Sequence, residues 1–340
     1  MAKISLGSLF SALGIRNCFN YLSDERYLRI LYRLEMHKRL NLDNPKTFNE
    51  KIQWLKLHDH RPEYRTMVDK YLVRGYISEK IGDEYLIPLL GVWNNPNDIE
   101  FDKLPDQFVL KCNHDSGSLV VCKDKDRFDQ EKAKEMLMRK IKRVYYWGNR
   151  EWPYKSVKPL VLAEQYKEDG VSTEYCDYLL NIKGYRVDYS NGFYTNLWNK
   201  DACLGKHSLT DYKFYCFNGY VDCVMVCFDR ESGDTKFYFF DKDWKLKRIN
   251  KRGIEAPDGF TLPKPTCLDE MFNVAAILSK GIPFVRVDLY QSDRQVYFGE
   301  MTFYPQSGLD PNYLPETDLY FGELIDLSLA YEYTKGDTNK

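Results

Sequence analysis

The chain has 340 residues, 44% of them hydrophobic and 29% charged, a balance that excludes a disordered protein and leaves room for about two folded domains. A net charge of −1 supplies no overall field toward nucleic acid, so no nucleic-acid partner is expected. Nine cysteines without a CxxC pair or zinc-ligand spacing point to a reduced, cytoplasmic setting.

The first residues, MAKISLGSLFSALGI, fall far short of the ~20 apolar residues that span a bilayer. They also lack a small-residue cleavage pattern, so a peripheral membrane-surface contact is the most they offer. From Ser23 the run SDERYLRILYRLEMHKRL has an N-cap serine, acidic residues in the first turn and apolar positions at helical spacing. Pro45 stops that run, and Thr47-Phe-Asn-Glu50 is a capping box for a second helix. A third helix is predicted over 62–80, ending near Gly82. His58 and His60 read as an exposed loop pair, without the Cys or His partners of a metal site.

At Tyr85 the texture changes. YLIPLLGVW is strand-like, and 108–111 followed by 119–122 reads as strand, turn, strand. The turn, CNHDSGS over 112–118, is small enough for backbone N–H groups to converge as they do on phosphate, with Lys111 adding a point charge at its mouth. A helix over 129–145 carries Lys132, Lys134, Arg139, Lys140, Lys142 and Arg143, either a solvated face or a surface for an anionic polymer or membrane. After an aromatic loop over 145–154, PLVLAEQY (159–166) is a buried strand ending in Glu164. It is either a seat for adenine and ribose or an ordinary strand end.

Segment 174–208, rich in Tyr, Asn, Asp and Gly, reads as an inserted hairpin lid or a substrate-shaping loop. The hairpin 211–228 turns at Asn218-Gly219, and Asp211 and Lys213 share one face at its start. Another strand and turn follow over 236–248, then an amphipathic helix over 266–281. The closing stretch 284–308, FVRVDLYQSDRQVYFGEMTFYPQSG, reads as two strands joined by a polar turn at 291–294. Arg286 and Asp288 point to one face, as do Glu300 and Thr302. Such oxygen ligands suit Mg²⁺ held with substrate phosphates, and the arginine suits phosphate or acyl-phosphate oxygens. The plain alternative is a hairpin with ordinary charged positions.

The order of these features resembles the ATP-grasp superfamily, such as the D-alanine–D-alanine ligases and biotin carboxylases. It is most similar to the TupA-like branch, named for teichuronopeptide synthesis and often found with cell-surface polysaccharide genes. The segments that carry the resemblance are NPKTFNEKIQWLKL, DKYLVRGYISEKIGDEYLIPLLGVW, LPDQFVLKCNHDSGS, LAEQY, DYKFYCFNG and FVRVDLY…YFGEMTFYPQSG. The resemblance implies an α+β fold with two lobes enclosing a nucleotide cleft, preceded by a helical region. The corresponding division is 1–82 helical, 83–163 the first lobe, 164–331 the second lobe with 174–208 inserted, and 332–340 a frayed tail.

The resemblance also implies ATP and Mg²⁺ as cofactors. Lys70 and Lys111 would contact nucleotide phosphates under the turn Ser116, Gly117 and Ser118. Glu164, Gln165 and Tyr166 would form the hinge at adenine, with Asp211 near ribose or phosphate. Asp288, Glu300 and Thr302 would hold the metal, while Arg286 and Lys213 would serve the transferred phosphate. Thr302 departs from the usual Glu-x-Asn, and the long 174–208 segment makes Asp211 the loosest match. The implied activity is a carboxylate–amine ligase working through an acyl phosphate. Its partners would be an amine or amino acid and a carboxylate-bearing sugar or polysaccharide. Competing readings are a glycosyltransferase using Asp124-x-Asp126 or Asp241-x-Asp243, a sugar kinase on the same fold, and a non-catalytic binding scaffold.

Overall fold

The computed structural model describes residues 5–115, 117–169, 207–228 and 235–330. Ser116, nearly all of the 174–208 segment and the 332–340 tail lie outside the described residues. A first helix not foreseen from the sequence, α1 (Leu6–Ile15), is capped by the Ser5 hydroxyl. Helix α2 (Asp24–Met36) starts as read, with Ser23 accepting from the Arg26 N–H and two acidic residues beside the positive helix end. The capping box of Thr47 and Glu50 opens α3 (Phe48–His58).

The single helix expected over 62–80 is two, α4 (Glu63–Val68) and α5 (Val73–Lys80). Asp69 causes the break. Its carboxylate accepts from the N–H groups of Tyr71 (2.8 Å) and Leu72 (3.2 Å), offering the backbone an alternative to the helix. Lys70 is thereby turned toward the first sheet: its N–H meets the Asn113 carbonyl at 3.1 Å, and its ammonium the Asp115 carbonyl at 2.6 Å.

That sheet contains β1 (Leu89–Trp93), β2 (Phe108–Cys112), β3 (Leu119–Cys122) and β4 (Val161–Gln165) in the order β1-β4-β2-β3, all antiparallel. Helix α6 (Gln130–Ile141) covers it, with Leu137 packed among Phe108, Leu110, Val161 and Ala163. Short α7 (Tyr146–Asn149) receives α1 and α2 through bonds from Ser11 and Tyr27 to the Gly148 carbonyl (3.0 and 2.7 Å). Strand β4 spans the 163/164 boundary expected between lobes, so the first sheet runs on through Gln165.

Beyond the small ribbon of β5 (Glu168–Asp169) and β6 (His207–Ser208), the second sheet has six strands. They are β7 (Asp211–Phe217), β8 (Tyr220–Phe228), β9 (Lys236–Phe240), β10 (Leu246–Lys247), β11 (Val285–Ser292) and β12 (Gln295–Thr302), in the order β10-β9-β8-β7-β11-β12. After α8 (Lys251–Glu255), helix α9 (Leu268–Ser279) packs Phe272 edge-on to Phe214 at 5.1 Å. On the alternate face Phe321 of α10 (Pro315–Leu324) stacks on Tyr215 at 5.5 Å, and Phe48 of α3 joins them. Helices on both faces explain why all seven residues of β7 are buried. Each buried aromatic of this kind contributes about 1.5–3 kcal/mol. Because Phe48, Ile52, Leu55, Met67 and Ile77 belong to the same core as this sheet, helices α3, α4 and α5 form part of it, while Tyr27, Leu28, Leu31 and Tyr32 of α2 pack in a separate cluster with Phe10 of α1.

Asn218 and Gly219 turn β7 into β8 with positive φ at both, 49° and 85°, as the sequence predicts. The closing hairpin is tighter than its sequence suggests. Only Asp293 and Arg294 form the turn, at φ 51° and 60°, so both strands reach further than the four-residue turn allowed. One irregularity interrupts their ladder: Asp288 pairs with Glu300 and Leu289 with Phe298, leaving Gly299 without a partner. Among the described residues no helix is long and apolar enough to cross a membrane.

Candidate active site

Strand register assembles the first wall. Lys213, Asp288 and Glu300 lie side by side across β7, β11 and β12, and the next row holds Tyr215, Arg286 and Thr302. Alternation puts both rows on one face. The Asp288 carboxylate is buried and shared: Arg286 grips it in a fork through Nε and Nη2, both at 2.7 Å, and the Lys213 ammonium bonds its Oδ2. Lys213 also stands 3.5 Å from Asp211. Arg286 Nη2 donates to Thr302 Oγ1 at 3.0 Å and lies 3.5 Å from Glu300 Oε1. Burial alone would lower the Arg286 pKa, but the Asp288 charge and hydrogen bonds, with Glu300, raise it. For Glu300, burial pushes up, yet Lys70, Lys213, Arg286 and Lys111 together hold its carboxyl down at about 2. Its side chain remains 35% exposed, and Lys70 Nζ is 3.8 Å from its Oε2.

The opposite wall comes from the first sheet. Lys111 on β2 meets Glu164 on β4 at 2.6 Å, and Arg74 of α5 reaches the other Glu164 oxygen at 3.4 Å. The turn between β2 and β3 is tied down from inside. Ser118 Oγ accepts from the Cys112 N–H (2.9 Å) and donates to Asp115. Asn113 accepts from the Leu160 N–H at 2.7 Å and donates to the Lys158 carbonyl at 3.0 Å. Gly117 has φ 85°, a conformation that admits glycine readily. Ser116 falls outside the described residues. At the end of β4, Gln165 is exposed with its N–H on the Pro88 carbonyl (3.0 Å), and the buried Tyr166 hydroxyl has no hydrogen-bond partner among the described residues.

Sequence reasoning missed several members of this cleft. Arg74 gave no signal, because its partner lies ninety positions away. Tyr145 and Tyr154 pack edge-to-face at 5.0 Å. The Tyr145 phenol is raised by Glu151, burial and Glu300, and the Tyr154 phenol by burial, Glu151 and Glu300, so both phenols lie within the field of the two carboxylates. Behind them Lys56 is fully enclosed, donating to Gln53 Oε1 (3.1 Å) and to the carbonyls of Ser307 (2.7 Å) and Asn149 (3.1 Å). Burial pushes the Lys56 ammonium down to about 8 against the pull of Glu151, and burial raises Glu151 against that of Lys56. The Ser307 hydroxyl donates to Glu151. This network fixes the turn Pro305–Gly308, where Gln306, Ser307 and Gly308 are all left-handed at φ 47°, 56° and 63°. Such a run persists only where surroundings over-determine it. Both histidines are exposed, as expected, but His58 is the last residue of α3 rather than part of a loop; it packs on Trp54, and His60 packs on Trp152.

Residues 50–185 and 197–326 match the family model described as TupA-like ATPgrasp. The chain belongs to that family. No match was found among curated proteins. Among solved structures, this TupA-like ATP-grasp chain is similar to the D-alanine–D-alanine ligase from Bacillus anthracis complexed with ATP (14% identity, 80% of this chain and 68% of that one, TM-score 0.42). The Helicobacter pylori ligase gives 12%, 82%, 68% and 0.38. The ATP-grasp ligase PsnB, complexed with minimal precursor, Mg and ADP, gives 8%, 93%, 73% and 0.37. Likeness at that level transfers no residue roles.

Magnesium, which the family implies, has to match the donors present. Mg²⁺ takes oxygen ligands and commonly only one or two carboxylates, leaving the remainder to water and phosphate. Glu300 fits: it is ionised, partly exposed and hydrogen-bonded to Thr302 Oγ1 at 3.3 Å. Asp288 stands beside it, but Arg286 and Lys213 already take both its oxygens. Among the described residues no cluster of three or more His, Cys, Asp or Glu forms a ready-made metal cage. The Asp-x-Asp pairs of the glycosyltransferase reading cap turns instead. Asp124 accepts from the Asp126 N–H at 3.0 Å, and Asp241 from those of Asp243 and Lys245 at 2.9 Å.

Proposed function

We propose that this TupA-like ATP-grasp chain is an ATP- and Mg²⁺-dependent carboxylate–amine ligase that modifies or builds a cell-surface polysaccharide or its precursor. The observation that carries the reading is the facing pair of charged walls. Lys111 and Arg74 stand around Glu164, while Lys213 and Arg286 stand around Asp288, with Glu300 and Lys70 between. Lys70, Lys111 and the turn over Gly117 would take the nucleotide phosphates, and Glu164, Gln165 and Tyr166 the adenine side. Asp211 and Lys213 would lie toward ribose and phosphate. Glu300, with Asp288 and Thr302 beside it, would hold Mg²⁺, which when bound neutralises phosphate charge.

A substrate carboxylate oxygen attacks the γ-phosphorus, the bond to the β-phosphate oxygen breaks, and ADP leaves. The amine nitrogen then attacks the acyl carbon, the C–O bond to phosphate breaks, and the amine loses a proton as the amide forms. Arg286 faces the transferred phosphoryl group in both steps. Positioning and charge neutralisation are the catalysis such a site can supply. The Tyr145–Tyr154 pair beside Glu300 gives the acceptor an aromatic, polar-tipped wall. An anionic polymer would meet the exposed Lys142 and Arg143 near it.

The test is phosphate release from Mg-ATP by the purified chain, screened over carboxylate and amine pairs. Release should require both partners, and Lys111→Ala should reduce it by about 10²–10³-fold. ADP formed with a sugar alone and without free phosphate, the phosphoryl group having passed to the sugar, would make the chain a kinase and overturn the ligase reading.

A further inference from the structure

Two members of the basic run after Asp129 leave the solvated face: Lys134, which lies over the Phe101 ring and pairs with Glu131, and Lys140. A Cβ built on Gly117 would stand 4.0 Å from the Lys140 Nζ, and among the described residues beyond its two chain neighbours no other atom lies within that distance. Lys140, in the last turn of α6, therefore extends over the one residue of the β2–β3 turn that has no side chain. The contact is braced. His114 in the same turn places its Nε2 3.1 Å from the Arg143 carbonyl, just past the end of α6, so turn and helix end are held together. Lys70 bonds the Asp115 carbonyl at 2.6 Å, and Lys111 is the penultimate residue of β2 at the base of the turn. The charge of Lys140 reaches the turn's foot: burial lifts the Cys112 thiol, and Lys70 and Lys140 both pull against it. No hydrogen bond or ion pair engages the Lys140 ammonium among the described residues. The plain reading is a lysine complementing the negative end of α6, but that role does not require it to lie over Gly117.

We propose that Lys140 is a third phosphate-binding lysine of the cleft, gripping the nucleotide's triphosphate from the α6 side above Gly117. The absent side chain leaves room for a phosphate oxygen at charge-assisted hydrogen-bond length, about 2.7–2.9 Å from the ammonium. A lysine suits the place, since a flexible point charge can follow a phosphate that moves during transfer. The inference rests on the ATP reading and adds to it a residue on a different element.

Calorimetric titration of the full chain with Mg-ATP, Mg-ADP and adenosine tests it. Lys140→Gln should weaken ATP binding about 10- to 100-fold, the range for losing a hydrogen bond to a charged group, and leave adenosine unchanged. Lys140→Arg should recover most of the loss. Lys132→Gln, at the exposed far end of α6, should bind all three like the wild type. ATP affinity of Lys140→Gln within twofold of wild type would overturn the assignment, as would equal weakening of adenosine and ATP, which would mark a structural role. Wild-type protein that binds no ATP would bring down the nucleotide reading itself and Lys140 with it. Wild-type binding beside an unaffected variant would remove Lys140 alone.

Discussion

Replacing Asp288 by Ala should be among the most destabilising single changes in the second sheet. Its carboxylate is 1% exposed and neutralises two neighbours, Arg286 and Lys213, whose own side chains are only 10% exposed. Removal leaves two enclosed cations, and breaking a buried pair in this way costs about 3–5 kcal/mol. Glu300, 3.5 Å from Arg286, can absorb part of the loss, which places the expectation near about 3 kcal/mol. In urea, followed by tryptophan fluorescence, an unchanged slope of about 3 kcal/mol/M turns that into a midpoint lower by roughly 1 M. A second substitution gives a change of sign. Lys213→Met added to Asp288→Ala removes one of the stranded cations, so the double variant should be more stable than Asp288→Ala alone. A loss under about 1 kcal/mol for the single variant, or simple addition of two losses in the double, would refute the view of Asp288 as the counter-charge that holds this wall.

Glu300 should shape the acid limb of stability. Its folded carboxyl is held at about 2 against an ordinary value near 4.3, so the unfolded chain takes up the proton first. The stabilisation is therefore complete above the ordinary value and is lost as pH falls toward 2. Glu300→Gln should flatten the pH dependence of unfolding in that window, measured by circular dichroism, and an identical acid limb would contradict the cation field assigned to it. Gly299→Ala should cost about 1–3 kcal/mol by overpacking, because its Cβ would meet the Tyr290 ring at 2.7 Å and the Asp288 carbonyl at 2.9 Å. Gly75→Ala, with nothing within 4 Å, is the matched control and should not lower the melting temperature.

What could be read in the sequence was local or ordered along the chain. Ser23, the Thr47–Glu50 box and Asn218-Gly219 specify their own caps and turn through contacts a few residues long. The succession of Lys111, a Gly/Ser turn, Glu164, Lys213, Arg286, Asp288 and Glu300 carried the family. The failures have physical causes. Residues 62–80 have helical periodicity, and only the Asp69 side chain, bonding to backbone two and three residues on, splits them and delivers Lys70. Asp293-Arg294 adopts a turn that usually calls for Asn-Gly, because the flanking strands dictate it. Arg74, Lys56, Glu151 and Lys140 owe their roles to partners brought in by tertiary packing, which no spacing encodes.

The unpaired Gly299 has a further consequence. Ser292 sits opposite Gln295 at the closing turn. Counting back along an uninterrupted ladder would set Asp288 across from Gly299 and Glu300 across from the buried Val287. Side chains alternate along a strand, so that odd offset would send Glu300 and Thr302 into the core and bring Met301 to the cleft. One extra residue changes odd to even and returns both oxygen donors to the side where Arg286 waits. The composition of the wall is in this sense a question of parity, decided by a residue that contributes no side chain.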